Sequence, residues 1–281
     1  MRWAQPPGAP SEATSSVTAA GWLAERLWSR FDPVLLILSP PRCGSTAVAR
    51  SFCQNPRFGC YLHEPCDRVY HHGGGLGGVE QALAEPLGVH RLGGTAAEGA
   101  RGVVVKEMTF QPGPLLPELL AAATLPVVVT VRDPRLAVWS RMRQREKGGQ
   151  PPSFPPAESG WRDLKAALET ARDRRVPYLV VDVTRLRSQP GRLLPALCQR
   201  LGLPFTPQML SWPSLGEVPL GQLGAEQRHW YARVLASSGF ERATEPTPEL
   251  DAFPATDGMR AHVSECVRIY RETLTDLQVL A

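Results

Sequence analysis

The stretch Val34 to Asn55, VLLILSPPRCGSTAVARSFCQN, constrains this chain more than any other. Val34 to Leu38 is an unbroken apolar run with turn residues directly behind it, the pattern of a strand buried on both faces. Ser39 to Thr46 forms a compact loop containing Pro40, Pro41 and Gly44. From Thr46 the pattern becomes helical and runs to Asn55-Pro56. A strand, a tight loop and a helix N-terminus turn backbone N–H groups toward one point, which binds an anion, usually a phosphate. The bland alternative is a Pro-Gly turn ahead of an ordinary helix.

The rest of the chain repeats the strand-then-helix alternation. Strands are expected at Phe58–Pro65, Gly102–Met108, Leu125–Val131 and Tyr178–Val183. Helices are expected over 17–30, 79–87, 115–123, 134–146, 161–175, 190–201, 222–238 and 259–277. The first should bury Trp22, Leu23, Leu27 and Trp28 on one face, and the last should bury Val263, Cys266, Tyr270, Leu274 and Leu277. Residues 67–78, DRVYHHGGGLGG, read as a mobile surface loop, and the breaker-rich 147–160 as a flexible lid. Residues 1–15 read as a disordered tail, with a single domain over 16–281. Together these elements predict an α/β, three-layer P-loop-type fold, with a central, mostly parallel sheet flanked by helices. Ligands of such sheets sit beyond the carboxyl ends of the strands.

Composition narrows the function. Of 281 residues, 31 are Lys or Arg and 27 Asp or Glu, a formal charge of +4 that suits an anionic ligand but not a nucleic acid. The six cysteines include no C-x-x-C pair, which argues for reduced thiols in a cytoplasmic setting rather than disulfides or zinc. His71-His72 has no third ligand nearby, so no metal is expected. No signal peptide or membrane span is visible.

The loop itself lacks the G-x-x-x-x-G-K-[ST] of nucleotide triphosphatases. It has one glycine, and its cation, Arg42, precedes it. Pro41 to Thr46, PRCGST, instead resembles the phosphosulfate loop of sulfotransferases that use 3′-phosphoadenosine 5′-phosphosulfate (PAPS), roughly P-[KR]-[ST]-G-[ST]-[ST]. Cys43 stands where a hydroxyl residue is usual. A second motif, VVVTVRDPRLAVWSRMR from Val127, is similar to the family's strand-R-[DN]-P-x5-S arrangement. The resemblance gives Arg132 and Ser140 to the 3′-phosphate, and a guanidinium with a helix hydroxyl suits that anion. Val180 to Phe205 resembles a third family pattern, except that Val183 stands where a Tyr near the adenine is common. Trp139 is a candidate substitute. The family's C-terminal R-K-G-x-x-G-x-W stretch is not found, and the resemblance is good from 34 to about 205 and weak beyond.

Sulfuryl transfer, like phosphoryl transfer, needs positioning and charge stabilisation. By resemblance, Arg42, the amides of Cys43, Gly44, Ser45 and Thr46, and the hydroxyls of Ser45 and Thr46 meet the charge that develops, with no metal. A general base must take the acceptor's proton. The His of cytosolic members falls at Lys106-Glu107-Met108 and is missing. Glu64 stands where Golgi-type members carry a Glu, so Glu64 is the first expectation, with Glu107 second and His63 third. Lys106 is a candidate contact to the sulfuryl group or the acceptor. The bland readings are a strand-end salt bridge for Glu64 and alternating sheet-edge charges for Lys106 and Glu107. The leading function is a PAPS-dependent sulfotransferase acting on a hydroxyl or amine of a small molecule, lipid or natural product. The alternatives are a noncatalytic nucleotide binder of the same fold and a P-loop small-molecule kinase.

Overall fold

The computed structural model describes residues 19–73, 75–215, 228–242, 244–255 and 258–280. The expected tail at 1–15 and the start of the helix expected from Gln222 lie outside them. The strands β1 (Val34–Ser39), β2 (Phe58–His63), β3 (Leu87–Gly88), β4 (Gly102–Met108), β5 (Val127–Val131) and β6 (Tyr178–Asp182) form one sheet in the order β3-β2-β4-β1-β5-β6. All pairs are parallel except β2–β3, where Tyr61 faces Leu87 antiparallel at the edge.

The continuous apolar strands make two cores because alternate residues face opposite sides. Leu36 and Leu38 of β1 join Leu23 and Leu27 of α1 (Ala19–Arg30), Leu119 of α5 (Leu116–Ala121), Leu164 of α7 (Trp161–Asp173) and Ile269 of α11 (Met259–Leu274). Leu35 and Ile37 face the other way. They join Val48 and Phe52 of α2 (Ser45–Phe52), Leu186 of α8 (Val183–Ser188), Leu194 of α9 (Pro190–Leu201) and Leu235 of α10 (Arg228–Ala236). This is the expected three-layer α/β architecture. The chain leaves β1 toward β2 on one side and reaches β5 on the other. The carboxyl end of β1 is therefore the topological switch point where such sheets bind ligands.

Several local expectations need correction. Residues 67–78 are not a loop: they form α3 (Asp67–His72) and the start of α4 (Gly75–Ala84). The glycines are tolerated there because Val79 and Leu83 bury the face of α4. Val183 does not extend β6 but opens α8, whose first turn is capped by the Asp182 carboxylate accepting from Thr184 N at 2.8 Å. Trp28 is largely exposed and uses its ring N–H to donate to Ala122 O, and Leu277 lies beyond α11 in solvent. The 147–160 segment is a tethered strap. Phe154 is buried in a third cluster with Val138 and Met142 of α6 (Pro134–Lys147) and Phe253. Its root, Gly160, abuts Pro40 and Pro41, and its carbonyl accepts from Thr109 Oγ1 at 2.6 Å. Among the described residues no helix is long and apolar enough to cross a membrane, and no cluster of His, Cys, Asp and Glu could hold a metal.

Candidate active site

A cavity of about 470 Å³ opens at the carboxyl ends of the strands. Its walls come from the loop after β1 and from the segments after β2, β4, β5 and β6, closed by α10. Of the residues singled out from sequence, Arg42, Gly44, Ser45, Thr46, Glu64, Arg132 and Ser140 line it. Cys43, Lys106 and Glu107 do not. Arg42 (φ 64°) and Glu64 (φ 48°) are two of the three non-glycine residues with positive φ among the described residues. Such backbone conformations concentrate where a site over-determines them.

The loop folds as the sequence suggests. Gly44 adopts φ 81° and caps α2, so the first-turn amides open on the cavity. Among the described residues nothing accepts from the amides of Cys43, Gly44, Ser45 or Thr46. The thiol of Cys43 points inward. Burial pushes its pKa up to about 12, so it is an inert core group. On the next strand Asp133 caps α6, accepting from Arg135 N at 2.9 Å, with Pro134 in the first turn. That cap sets Arg132 at the strand end and Ser140 two turns along. Arg132 Nε is buried without a partner.

Arg42 does not reach toward open space. Its Nη1 donates to Trp230 O at 2.6 Å and its Nε to Ser140 Oγ at 3.3 Å. Burial, then the nearby Arg132, Arg141 and Arg233, draw its pKa below the ordinary value, against Tyr231. A cluster of like charges around a partly buried guanidinium is what an anion would relieve.

The interior of the site is an ion-pair network centred on Glu64. Glu64 Oε1 receives the Lys106 ammonium and the Tyr231 hydroxyl, the latter at 2.5 Å, and Oε2 receives Gln111 Nε2 at 3.0 Å. His63 Nε2 lies 3.3 Å from Oε1, and His63 Nδ1 meets Tyr61 Oη at 2.5 Å. Burial pushes the Glu64 pKa up, but Lys106 and His63 outweigh it and hold the carboxyl well below the usual range. Lys106 is fully buried as the counter-ion, not as a cavity contact. Glu107 projects to the opposite face of β4, where its oxygens accept from Cys66 N at 2.7 Å and Met108 N at 2.8 Å. Burial and then Glu64 push its pKa up to about 8, against those two amides.

The helix expected over 222–238 is present in its described part as α10, but its place as a cap over the cavity was not foreseen. Helix α10 supplies His229, Trp230, Tyr231, Arg233 and Val234 to the cavity wall. Arg50 of α2 anchors it, donating from Nη1 to the carbonyls of Val234, Leu235 and Ser237 and from Nη2 to Pro213 O. A cation on the last carbonyls of a helix complements its dipole. Arg50→Met should lower unfolding stability by about 2 kcal/mol or more, because those carbonyls lose charge-assisted bonds. Urea denaturation followed by tryptophan fluorescence would measure this, and an unchanged midpoint would remove Arg50 as the anchor. Trp139, the candidate for adenine stacking, instead packs edge-on against Phe253 at 5.6 Å and is not part of the wall. Trp230 and Phe240 are among the aromatic groups that do line it.

Residues 158–262 match the family model described as a sulfotransferase domain. Over that segment the chain is similar to the sulfotransferase family. That match runs from the root of the strap through β6 and α10 into α11, so the loop after β1 and the Arg132–Ser140 pair lie outside it. The chain is similar to the sulfotransferase domain of the Synechococcus PCC 7002 olefin synthase, at 19% identity, covering 86% of this chain and 95% of that one, with a TM-score of 0.51. It is also similar to the sulfotransferase domain from the curacin biosynthetic pathway, at 16% identity over 88% and 99% of the two chains, with a TM-score of 0.49. At this identity the olefin synthase likeness establishes a shared fold. No curated protein sequence matches the chain. The family-model match alone supports a sulfotransferase activity, in general terms.

Proposed function

We propose that this protein transfers a sulfuryl group from PAPS to a hydroxyl or amine of a small-molecule acceptor. One observation carries this reading. The unclaimed amides of the β1–α2 loop, the orphaned Arg132 Nε and the Ser140 hydroxyl open on one cavity. Two anion-binding elements on one cavity fit a nucleotide with phosphate groups at both ends of its ribose. PAPS bound there would supply the activated sulfuryl group. The loop amides and the Ser45 and Thr46 hydroxyls would hold the phosphosulfate, and Arg132 and Ser140 the 3′-phosphate. Arg42 would exchange its Trp230 and Ser140 contacts for the anion.

The geometry supports a positioning role for Glu64, in place of the base expected from sequence. Its carboxylate is already saturated, and it fixes the Tyr231 end of the cap. A noncatalytic reading draws support from the same saturation, and turnover of PAPS separates the two.

Calorimetric titration with 3′-phosphoadenosine 5′-phosphate, beside ATP–Mg²⁺, tests the donor assignment. The bisphosphate should bind wild type, and Arg132→Ala should weaken it about 10- to 100-fold, the loss of one or two charge-assisted bonds. Unchanged affinity in Arg132→Ala would refute the 3′-phosphate assignment. Binding of ATP–Mg²⁺ alone would favour the kinase reading. The reading goes with a cytoplasmic setting, which the free cysteines favour.

A further inference from the structure

The cavity has two chemically different halves, divided by β1. Toward β5 and β6 it is basic, with Arg42, Arg132, Arg187 and Arg233. Toward β4 and β2 it is lined by Met108, Phe110, Gln111, Asp67 and His71, and no Lys or Arg comes from those two segments. Arg141, at the border, is already paired with Glu158 and stacked 4.6 Å over Phe154. A nucleotide bisphosphate takes the basic half, leaving the neutral half for the acceptor.

That neutral half holds a preformed acid–base pair. Asp67 and His71 lie one turn apart on α3, and His71 Nε2 is 3.4 Å from Asp67 Oδ1. Gln111 Nε2 donates to the same Oδ1 at 2.7 Å, and also holds Glu64. The imidazole is partly exposed, its side chain at 45%, whereas Glu64 is at 4% and spent on three donors. A second observation points to a ligand here. Gln111 is 4% exposed, yet its Oε1 has no hydrogen-bond partner. Because its amide nitrogen is committed to two carboxylates, the orphan is the oxygen, and on a residue that lines this half of the cavity a ligand N–H or O–H would satisfy it.

We propose that this half is the acceptor subsite, that it takes an uncharged hydroxyl compound with an apolar body, and that His71, oriented by Asp67, accepts its proton. The inference rests on the sulfotransferase reading above. Met108 and Phe110 contact the apolar body. The hydroxyl oxygen forms its bond to sulfur as the bond from sulfur to the 5′-phosphate oxygen breaks, and the electron pair leaves on the bisphosphate. The hydroxyl proton passes to His71 Nδ1, and the Asp67 carboxylate stabilises the imidazolium at Nε2. The acceptor needs no anionic group, because the segments after β2 and β4 bring no Lys or Arg to this half, and Arg141 and Arg145 of α6 are engaged with Glu158 and Pro151 O.

The experiment uses the full chain and 2-naphthol, an uncharged hydroxyl on an apolar ring. Binding of 2-naphthol to the protein–bisphosphate complex is read by calorimetry, and turnover as bisphosphate release from PAPS with 2-naphthol present. Phe110→Ala should weaken 2-naphthol binding about tenfold, while bisphosphate affinity stays within twofold. His71→Ala should keep both affinities within twofold yet lower turnover about 100-fold or more. Added imidazole should restore part of that loss, which no merely structural role of His71 would allow. Asp67→Asn should show a smaller turnover loss, without imidazole rescue. No 2-naphthol binding, or full turnover in His71→Ala, would overturn the proposal while bisphosphate binding left the donor reading standing. Failure of wild type to bind the bisphosphate would instead strike that reading itself.

Discussion

Gly44→Ala is expected to abolish bisphosphate binding and to lower stability by several kcal/mol. Gly44 sits at φ 81°, where an L-residue pays about 1–2 kcal/mol for the left-handed conformation. A Cβ there would also meet Val183 Cγ1 at 2.7 Å, an overlap that forces overpacking costs of about 1–3 kcal/mol. Relief requires the loop or the start of α8 to move, and either shift turns the first-turn amides of α2 away from their common point. Val183→Ala in the same chain should return the overpacking part and leave the dihedral part. Thermal or urea unfolding measures the stability terms, and calorimetry the binding. If Gly44→Ala binds the bisphosphate like wild type, the loop is not the anion site.

The second large effect is predicted at the buried Glu64–Lys106 pair. Lys106→Met leaves a carboxylate at 4% exposure without its counter-ion, and Glu64→Gln leaves a buried ammonium. Breaking one side of such a pair costs about 3–5 kcal/mol, whereas replacing both can be nearly neutral. The double variant Glu64→Gln/Lys106→Met should therefore be more stable than either single one. The sign of the pH dependence follows from the depressed Glu64 pKa. Its stabilisation is complete above the unfolded carboxylate value of about 4.3 and is lost as pH falls through the folded value. Urea unfolding of wild type should weaken across that acid window, and Glu64→Gln should be flatter there. Equal pH slopes in the two proteins would show that the pair does not carry this linkage.

The sequence made the central strands visible because β1, β4, β5 and β6 are buried on both faces and read as unbroken apolar runs. The loop after β1 and the R-D-P turn were visible for a local reason: the anion-binding geometry and the Asp133 cap are written in adjacent residues. What failed was nonlocal. The two-residue β3 exists only because Leu87 finds Tyr61 across the sheet edge. Trp28 fits a buried helical stripe, but it is 48% exposed and its ring N–H reaches Ala122 O. Glu64 had the right place for a base, and only the fold reveals that Lys106, Tyr231 and Gln111 occupy its oxygens. His71 was dismissed as one of two adjacent histidines, because nothing local says that α3 turns it into the cavity beside Asp67. Arg50 looks like any helical arginine, since its carbonyl partners lie in another part of the chain.

That distance carries a consequence for how the protein comes into being. Arg50 and Val234 are 184 positions apart, Arg42 and Trp230 are 188, and Tyr231 and Glu64 are 167. Closing such loops is entropically costly, and long-range contacts form late. During synthesis the loop and its strand leave the ribosome long before α10 does. The loop after β1 is therefore made long before its roof, and the cavity is complete only once α10 has been synthesised.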